Sequence, residues 1–598
     1  MTIQRYSVNQ YSIQTLLTWI ETGSIAIPEI QRPFVWDTAK VRDFIDSLYC
    51  GYPVGYLIAW HNPEVRMKDG RTSEGKQILI DGQQRVTALR AAVSGHQIVD
   101  KNYRTKRITI AFNPDQKRFE VSNPAIRRDR AWIPDIATLF TPEIKLLRRV
   151  NDYCANNPKT DEETIFERIA RLRDIRNNLL GLIELNSDLD VETVAEIFVR
   201  INSKGIQLNA ADFAMSKMAA NETYNGHQLR KCIDYFCHLA VAPEAYADLT
   251  ADKAFAATHY FQAMKWLRHE KDDLYDPSYT DMLRVAFTSE FGRGRLEDLV
   301  ALLSGRNFET REYEDEIAKQ AFERLERAIL RFMNETDFKR FVMILRTAGF
   351  VGASMIRSKN AVNFAYIAYL TLRAQNTPSA HIESLVRRWF VMSVLTGRYT
   401  SSPETAFSVD IRAFAKQGIE DVLADVECAA LSDAFWEAGL PQQMDTSVAS
   451  SPYFNVFLAS QVKANDKGFL SKEHTVPTLL QGASHVHHIF PKAYLVNEQH
   501  LPRTRYNQIA NYVVMQGEIN IAIGSKSPAT YFSALQRQCE TGHPQYGGIT
   551  NAEELRVNLE AHCIPSGMNA VDVKGYDDFL KERRRLMALK IRDYYRSL

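Results

Sequence analysis

The sequence predicts a multidomain α+β protein: a mixed first third, a mostly helical middle region and a smaller mixed domain at the end. Three observations carry this. A chain of 598 residues corresponds to about three to five domains at roughly 100–200 residues each, so one small fold is excluded. Short apolar or alternating runs gather before residue 215, whereas 216–440 read as long amphipathic helices. A softer stretch from Pro441 to Ser484, with SVASSP, ANDKG and QGAS, then precedes a compact cluster of His and Asn. The expected domains are 1–215, 216–440 and 441–598.

Composition narrows the function classes. Lys and Arg total 73 against 72 Asp and Glu, so any surface for a polyanion is local. No apolar run approaches the ~18 residues of a membrane span, and the start lacks the basic-then-apolar layout of a secretory signal. The seven cysteines are scattered and form no CxxC. A disulfide scaffold and a cysteine-rich zinc site are therefore not expected, and a reducing cytoplasm fits best.

Taken in order, YSIQTLLTWIETG has apolar residues at helical spacing and a stopping Gly23. IAIPEIQRPFVWD is too Pro-rich for a helix. VRDFIDSLYCGYP reads as a helix closed at Gly51, VGYLIAW as a buried strand, and QILIDG as a short strand ending in a turn. VTALRAAVSG is a helix just beyond that turn. RITIAF and FEVS alternate like an antiparallel pair. In the middle region, DEIAKQAFERLERAILRFM and HIESLVRRWFVMSVLTG are the plainest amphipathic segments.

GRTSEGKQ, from Gly70 to Gln77, nearly spells a phosphate-binding loop. Its last position lacks the hydroxyl that would hold magnesium, and a strand follows where a helix should start, so it is read as an exposed polar loop.

The first chemical cluster is Asp81-Gly82-Gln83-Gln84-Arg85, between the strand QILI and the helix VTALRAAV. Gly82 permits a tight turn, and the amides and Arg85 lie at the positive end of a helix, where anionic groups are favoured. Arg grips phosphate bidentately, and a carboxylate such as Asp81 takes magnesium or orients water. From these residues alone the turn is either an anion or nucleotide site or a capped turn with a surface arginine.

Two further stretches narrow the choice: IPEIQRPFVWD, with Gln31, Arg32 and Trp36, and FVRINSKGIQLNAADF, with Arg200, Asn202, Lys204, Gly205 and Asp212. With DGQQR they stand in an order that resembles the N-terminal domain of GmrSD-type restriction enzymes, a ParB/sulfiredoxin-like fold whose DGQQR turn is tied to nucleotide hydrolysis. The resemblance implies that Asp81, Gly82, Gln83, Gln84 and Arg85 bind and turn over ATP or GTP, with Arg32 and Arg200 in the same pocket. Each of those two arginines also has a structural reading: Arg32 bracing its loop, Arg200 pairing with an acid such as Glu196 on its own helix. Asn202 and Gly205 read equally as the cap of the helix VETVAEIFVRIN.

The second cluster begins with His485, His487 and His488 on a strand-like run that IFP turns. Asn511 follows in IANYVVM, then Asn520, and Ser-Pro opens a helix. Three histidines in four residues are, by themselves, either a metal-binding strand or a solvated edge. Phosphodiester hydrolysis needs an activated water, a cation to stabilise oxygen charge, and orientation. Neutral His accepts a proton near neutral pH. An Asn oxygen suits magnesium, while His widens the choice to manganese or nickel.

The pattern H-H-I-F-P-K, N-x-I-A-N-Y-V, G-E-x-N-x-x-I-G-x-K-S-P resembles the ββα-metal HNH nuclease fused at the end of GmrSD proteins. It implies that His488 is the general base, His487 and Asn520 are metal ligands, Asn511 holds the base's ring, and Lys526 meets the DNA backbone. The commoner HNH form has Asp where His487 stands, which leaves the metal preference open. His485 is read as packed, solvated, or in contact with phosphate or metal.

Residues 581–598 hold seven Lys and Arg against two acids. Arg583, Arg584, Arg585, Lys590 and Arg592 are expected around one helix, which is either a phosphate-contacting surface or a solvated terminal helix.

Together these resemblances imply a bacterial, cytoplasmic, modification-dependent (type IV) endonuclease. It would cut modified double-stranded DNA, such as that of phage, with a divalent metal, under control of an NTP. Coupling two sites requires two global states, and a change of homo-oligomeric state is one candidate. The alternatives are a phosphorothioate-sensing nicking enzyme of related architecture, and a nucleotide-switched DNA-binding protein that does not cleave.

Overall fold

Alternation in two short apolar runs decides the first sheet. In YLIAWH and QILID, successive side chains must leave on opposite faces, so both faces have to be covered. The computed structural model describes residues 5–26, 36–61, 77–99, 105–141, 146–186, 189, 197, 210–221, 223–482 and 486–598. The strands of this first part are β1 (Tyr6–Ser12), β2 (Ile25–Ala26), β3 (Tyr56–His61), β4 (Gln77–Asp81), β5 (Ile98–Val99), β6 (Thr105–Lys106), β7 (Ile110–Asn113), β8 (Arg118–Val121) and β9 (Leu179–Leu185). Five make one mixed sheet in the order β1-β9-β3-β4-β2. β9 runs antiparallel to β1 and parallel to β3, and β3 runs antiparallel to β4.

Leu57, Ala59, Leu79, Leu180 and Leu182 share one core with the helices Ile13–Glu21, Thr38–Cys50 and Gln83–Val93. Ile58, Trp60, Ile80 and Leu185 form a second, smaller cluster. The expected helix before Gly51 is present, and that glycine ends it at φ 76°. RITIAF and FEVS pair as β7 and β8. β1 and β9, one edge strand and one inner strand, were not expected.

The chain forms two compact units, Met1–Glu270 with Val300–Phe322, and Lys271–Leu299 with Glu323–Leu598. The expected middle region, 216–440, therefore contributes to both. Among its described residues it is helical apart from the single bridge Arg306–Tyr313.

In the second unit the helix Lys359–Ala374 is buried almost all round, which marks it as central. Phe364 packs on Trp389, Tyr399, Phe407 and Phe414. Beside them, the Arg398 guanidinium donates to Asp410, and the Tyr399 hydroxyl donates 2.7 Å to the same carboxylate. The expected junction falls in the stretch 441–484. The helix Pro452–Lys463 lies inside the soft stretch and buries Phe454, Val456, Phe457 and Leu458. Its apolar run outweighs the flanking Ser, Pro and Gly.

Among the described glycines of the first unit, Gly82 has the closest approach. Its φ is +99°, and a Cβ there would lie 2.2 Å from the Leu57 Cδ2. Gly82→Ala is expected to lower stability by about 1–3 kcal/mol, read as a shifted urea midpoint; an unchanged midpoint would refute the close approach.

Candidate functional site

Each unit carries one candidate site. In the first, β4 ends on Asp81, Gly82 reverses the chain, and the helix Gln83–Val93 begins at once. The helix thus starts earlier than VTALRAAV suggests, and Gln83, Gln84 and Arg85 form its first turn. Gln84 is buried, while Asp81, Gln83 and Arg85 are half-buried. One Arg85 nitrogen, Nη1, donates 2.9 Å to the Tyr56 carbonyl and stands 3.4 Å from the Asp81 carboxylate. No described hydrogen bond uses Nε or Nη2, so the outer edge of the guanidinium is open to an anion.

Space for that guanidinium comes from Gly55, where a Cβ would approach Nη2 to 3.0 Å. Next to it, the Tyr56 ring lies across Gly181, where a Cβ would fall 2.3 Å from the ring. Tyr56 remains 53% exposed. Gln31, Arg32, Arg200, Asn202, Lys204 and Gly205 lie outside the described residues, as do residues 70–76 of the loop set aside above. Gln77, the last residue of that loop, opens a strand. Asp212 is buried at the start of the helix Ala210–Ala220.

In the second unit, β10 (Val486–His488) pairs antiparallel with β11 (Tyr512–Val514). The strand–strand–helix order expected from the sequence is present. The strands are joined through the helices Lys492–Gln499 and Arg503–Tyr506, and the helices Gly517–Ile523 and Pro528–Thr541 follow. Pro528 occupies the first helical turn and Ser527 caps it, accepting from the Thr530 N–H at 3.2 Å.

Register sets His488 opposite Tyr512 and His487 opposite Val513, so the two imidazoles leave the ribbon on opposite sides. The His488 ring meets the edge of the Tyr512 ring at 5.1 Å. Its Nε2 is 3.0 Å from the Asn507 Oδ1. Burial holds its pKa below the ordinary 6.5, the Asn507 bond opposes that, and the Lys492 charge adds to it. At neutral pH the ring is therefore uncharged.

Asn511 does not hold that ring directly. It is 0% exposed and bonds backbone only: its oxygen accepts from the Phe490 N–H at 2.8 Å, and its nitrogen donates to the Phe490 and Tyr506 carbonyls. Its effect on His488 passes through the chain on either side. Asn507 makes the ring contact and was not singled out, although it opens the run N-Q-I-A-N.

Asn520 lies half-buried in the helix Gly517–Ile523 and has no described side-chain hydrogen bond. Lys526 is exposed, with its ammonium on the Ala522 carbonyl and 5.4 Å above the Tyr546 ring. His485 lies outside the described residues. His487 and Asn520 offer an imidazole and an amide oxygen, a donor set that fits a divalent ion of the magnesium-to-nickel range. Among the described residues no group of three or more His, Cys, Asp or Glu gathers as a metal site.

The basic helix requires a correction. Arg583 is 0% exposed, donates 2.7 Å to the Ala510 carbonyl and shares the His562 carbonyl through two nitrogens. Burial lowers its pKa to about 10. It is a packing element and does not reach DNA. Arg584 is mostly covered and pairs with Asp445, and Lys590 pairs with Asp466. Of the expected trio only Arg585 is open, 51% exposed, and Glu582 partners it. The tyrosines among these residues explain the outcome. Tyr594 and Tyr595 are buried, so this helix belongs to the core and its positive side chains must find carbonyls or acids there.

Residues 13–219 match the family model for the GmrSD restriction endonuclease, N-terminal domain. This stretch holds four of the sheet's five strands, all but β1, and the DGQQR turn, so this part of the chain is an N-terminal domain of the GmrSD type. That family implies DNA as the macromolecular partner. No curated protein matches the chain. Among the described residues no helix is long and apolar enough to cross a membrane.

Two predictions follow from this geometry. Arg583→Met should lower the stability of the chain by about 3 kcal/mol, since two carbonyls lose their donors. Arg585→Ala should leave it within about 0.5 kcal/mol. Equal unfolding midpoints for the two would contradict the burial.

The second concerns His562, which is fully buried, with Nε2 2.9 Å from the Lys467 carbonyl and Nδ1 3.2 Å from the Gln461 amide nitrogen. Its pKa falls from 6.5 to about 3, chiefly through burial. The unfolded chain then binds a proton that the folded one refuses. Its contribution is complete above pH 6.5 and is lost as pH falls from 6.5 towards 3, at about 1.4 kcal/mol per pH unit. Urea titrations of wild type and His562→Asn at pH 7.5, 6 and 5 should converge if this holds. A constant gap at all three would remove the assignment.

Proposed function

We propose that the protein is a type IV, modification-dependent DNA endonuclease of the bacterial cytoplasm. In this reading, NTP binding or hydrolysis at a ParB/sulfiredoxin-like first domain licenses an HNH-type site to cut modified foreign DNA, such as that of phage. The observation that carries it is the His488 ring. It is buried enough to stay neutral, bonded at Nε2, and without a described partner at Nδ1. A base must have that free lone pair near neutral pH.

His488 takes the proton of a water that attacks the scissile phosphate in line. On the family pattern alone, and against the strict alternation that turns His487 away from His488, His487 and Asn520 would hold a divalent cation that would supply charge stabilisation for the phosphate oxygens and the departing 3′ oxygen. Lys526, exposed beside this segment, meets the DNA backbone. Asn511 keeps residues 490 and 506 in register, so the base does not drift from its place.

In the first domain, the free edge of the Arg85 guanidinium takes a phosphate oxygen, and the Asp81 carboxylate orients water or a magnesium ion. Gln83 lies at the same helix start. Arg32 and Arg200 complete the pocket on the strength of the family pattern alone.

The deciding experiment is cleavage of plain, hydroxymethylated, glucosylated and phosphorothioated DNA, with and without each NTP and with magnesium or manganese. Cutting of a base-modified DNA that rises with one NTP is expected. His488→Ala should reduce it roughly 10²–10⁴-fold while DNA binding persists, and Asp81→Ala or Arg85→Ala should impair nucleotide turnover. Cutting only of phosphorothioated DNA, or undiminished cutting by His488→Ala, would overturn the reading.

A further inference from the structure

We propose that Asn507 is the positioning residue of the base, fixing the tautomer that leaves Nδ1 of His488 as the proton acceptor. The inference rests on the nuclease reading above and adds a residue to it.

A neutral imidazole has one N–H and one lone pair, and whichever nitrogen donates leaves the other to accept. The Asn507 oxygen can only accept. At 3.0 Å from Nε2 it therefore holds the proton on that nitrogen and the lone pair on Nδ1. The edge contact with Tyr512 restrains rotation of the ring.

The segment carrying Asn507 is itself fastened on both sides. The Tyr506 carbonyl accepts from Asn511, the Arg505 carbonyl from the Tyr576 hydroxyl at 3.1 Å, and the Ile509 N–H donates 3.0 Å to Thr446. Gln508 donates 2.8 Å to the Thr504 carbonyl. Such anchoring of a short segment is what a precisely held acceptor requires.

The same bond also acts during the reaction. When Nδ1 takes a proton, the Nε2–H becomes part of a cation, and its hydrogen bond to the amide oxygen strengthens. The acceptor thus favours the protonated product of the step more than the neutral ring, which is the condition for acceleration.

The test uses the full chain with 15N-labelled histidine, the His488 signals being assigned by loss in His488→Gln. Wild type should show the Nε2–H tautomer. Asn507→Asp, which keeps an acceptor, should show the same. Asn507→Leu and Asn507→Ala should show mixed tautomers, and kcat for DNA cleavage should fall about 10- to 100-fold with KM unchanged, while Asn507→Asp recovers most of it. A wild-type ring protonated at Nδ1 would overturn the proposal, and so would Leu and Ala variants that keep both tautomer and kcat. If wild-type protein cuts no DNA at all, the nuclease reading falls, and the spectra still decide what Asn507 does to the ring.

Discussion

The second site depends on one buried amide. Asn511 has no exposed surface, and both ends of its side chain are satisfied by main-chain groups of two other segments. A ribbon of three residues per strand has too few ladder bonds to fix its own ends. The amide supplies what the ladder lacks, binding the turn after His488 to the end of the helix before Asn507. An unsatisfied amide at that depth would be costly, so the arrangement is close to all-or-none. Around it lie the bonds that Arg583 donates to the Ala510 carbonyl and that join His488 to the Asn507 oxygen.

The first site is held differently. Beside the buried Gln84, two glycines shape it. Gly82 lets the backbone pass against Leu57, and Gly55 leaves room for the Arg85 guanidinium. The Asp81–Arg85 contact is half in water and contributes little to stability. What it does is aim: one guanidinium nitrogen is occupied by strand and carboxylate, and the other two have no described hydrogen bond. Close approach of backbones fixes geometry here, where hydrogen bonding does so in the second unit.

Much of this was legible in the sequence because the signals were local. QILIDG ends where β4 ends, Gly51 stops its helix, and Ser527-Pro528 opens one. The inner strand β9 was not legible. LLGLIEL is apolar on both faces and lacks a clear period, since it is covered on both sides of the sheet. The charges of the last helix misled for a related reason. A run of arginines looks solvated until the tyrosines beside it are known to be buried, and burial is a tertiary property. Asn507 was visible within N-Q-I-A-N, but nothing in the spacing indicates that the first asparagine reaches a ring while the second reaches only backbone.

The burial of Arg583 bears on the order of events during synthesis. The carbonyl it satisfies belongs to Ala510, 73 positions nearer the start, so the ribbon leaves the ribosome well before its fastening exists. The helix that carries Arg583 also anchors to Ala348 and Glu427 through Tyr594 and Tyr595, segments made earlier still. A translation intermediate that stops short of this helix therefore holds both histidines and Asn511 without the lock beneath them.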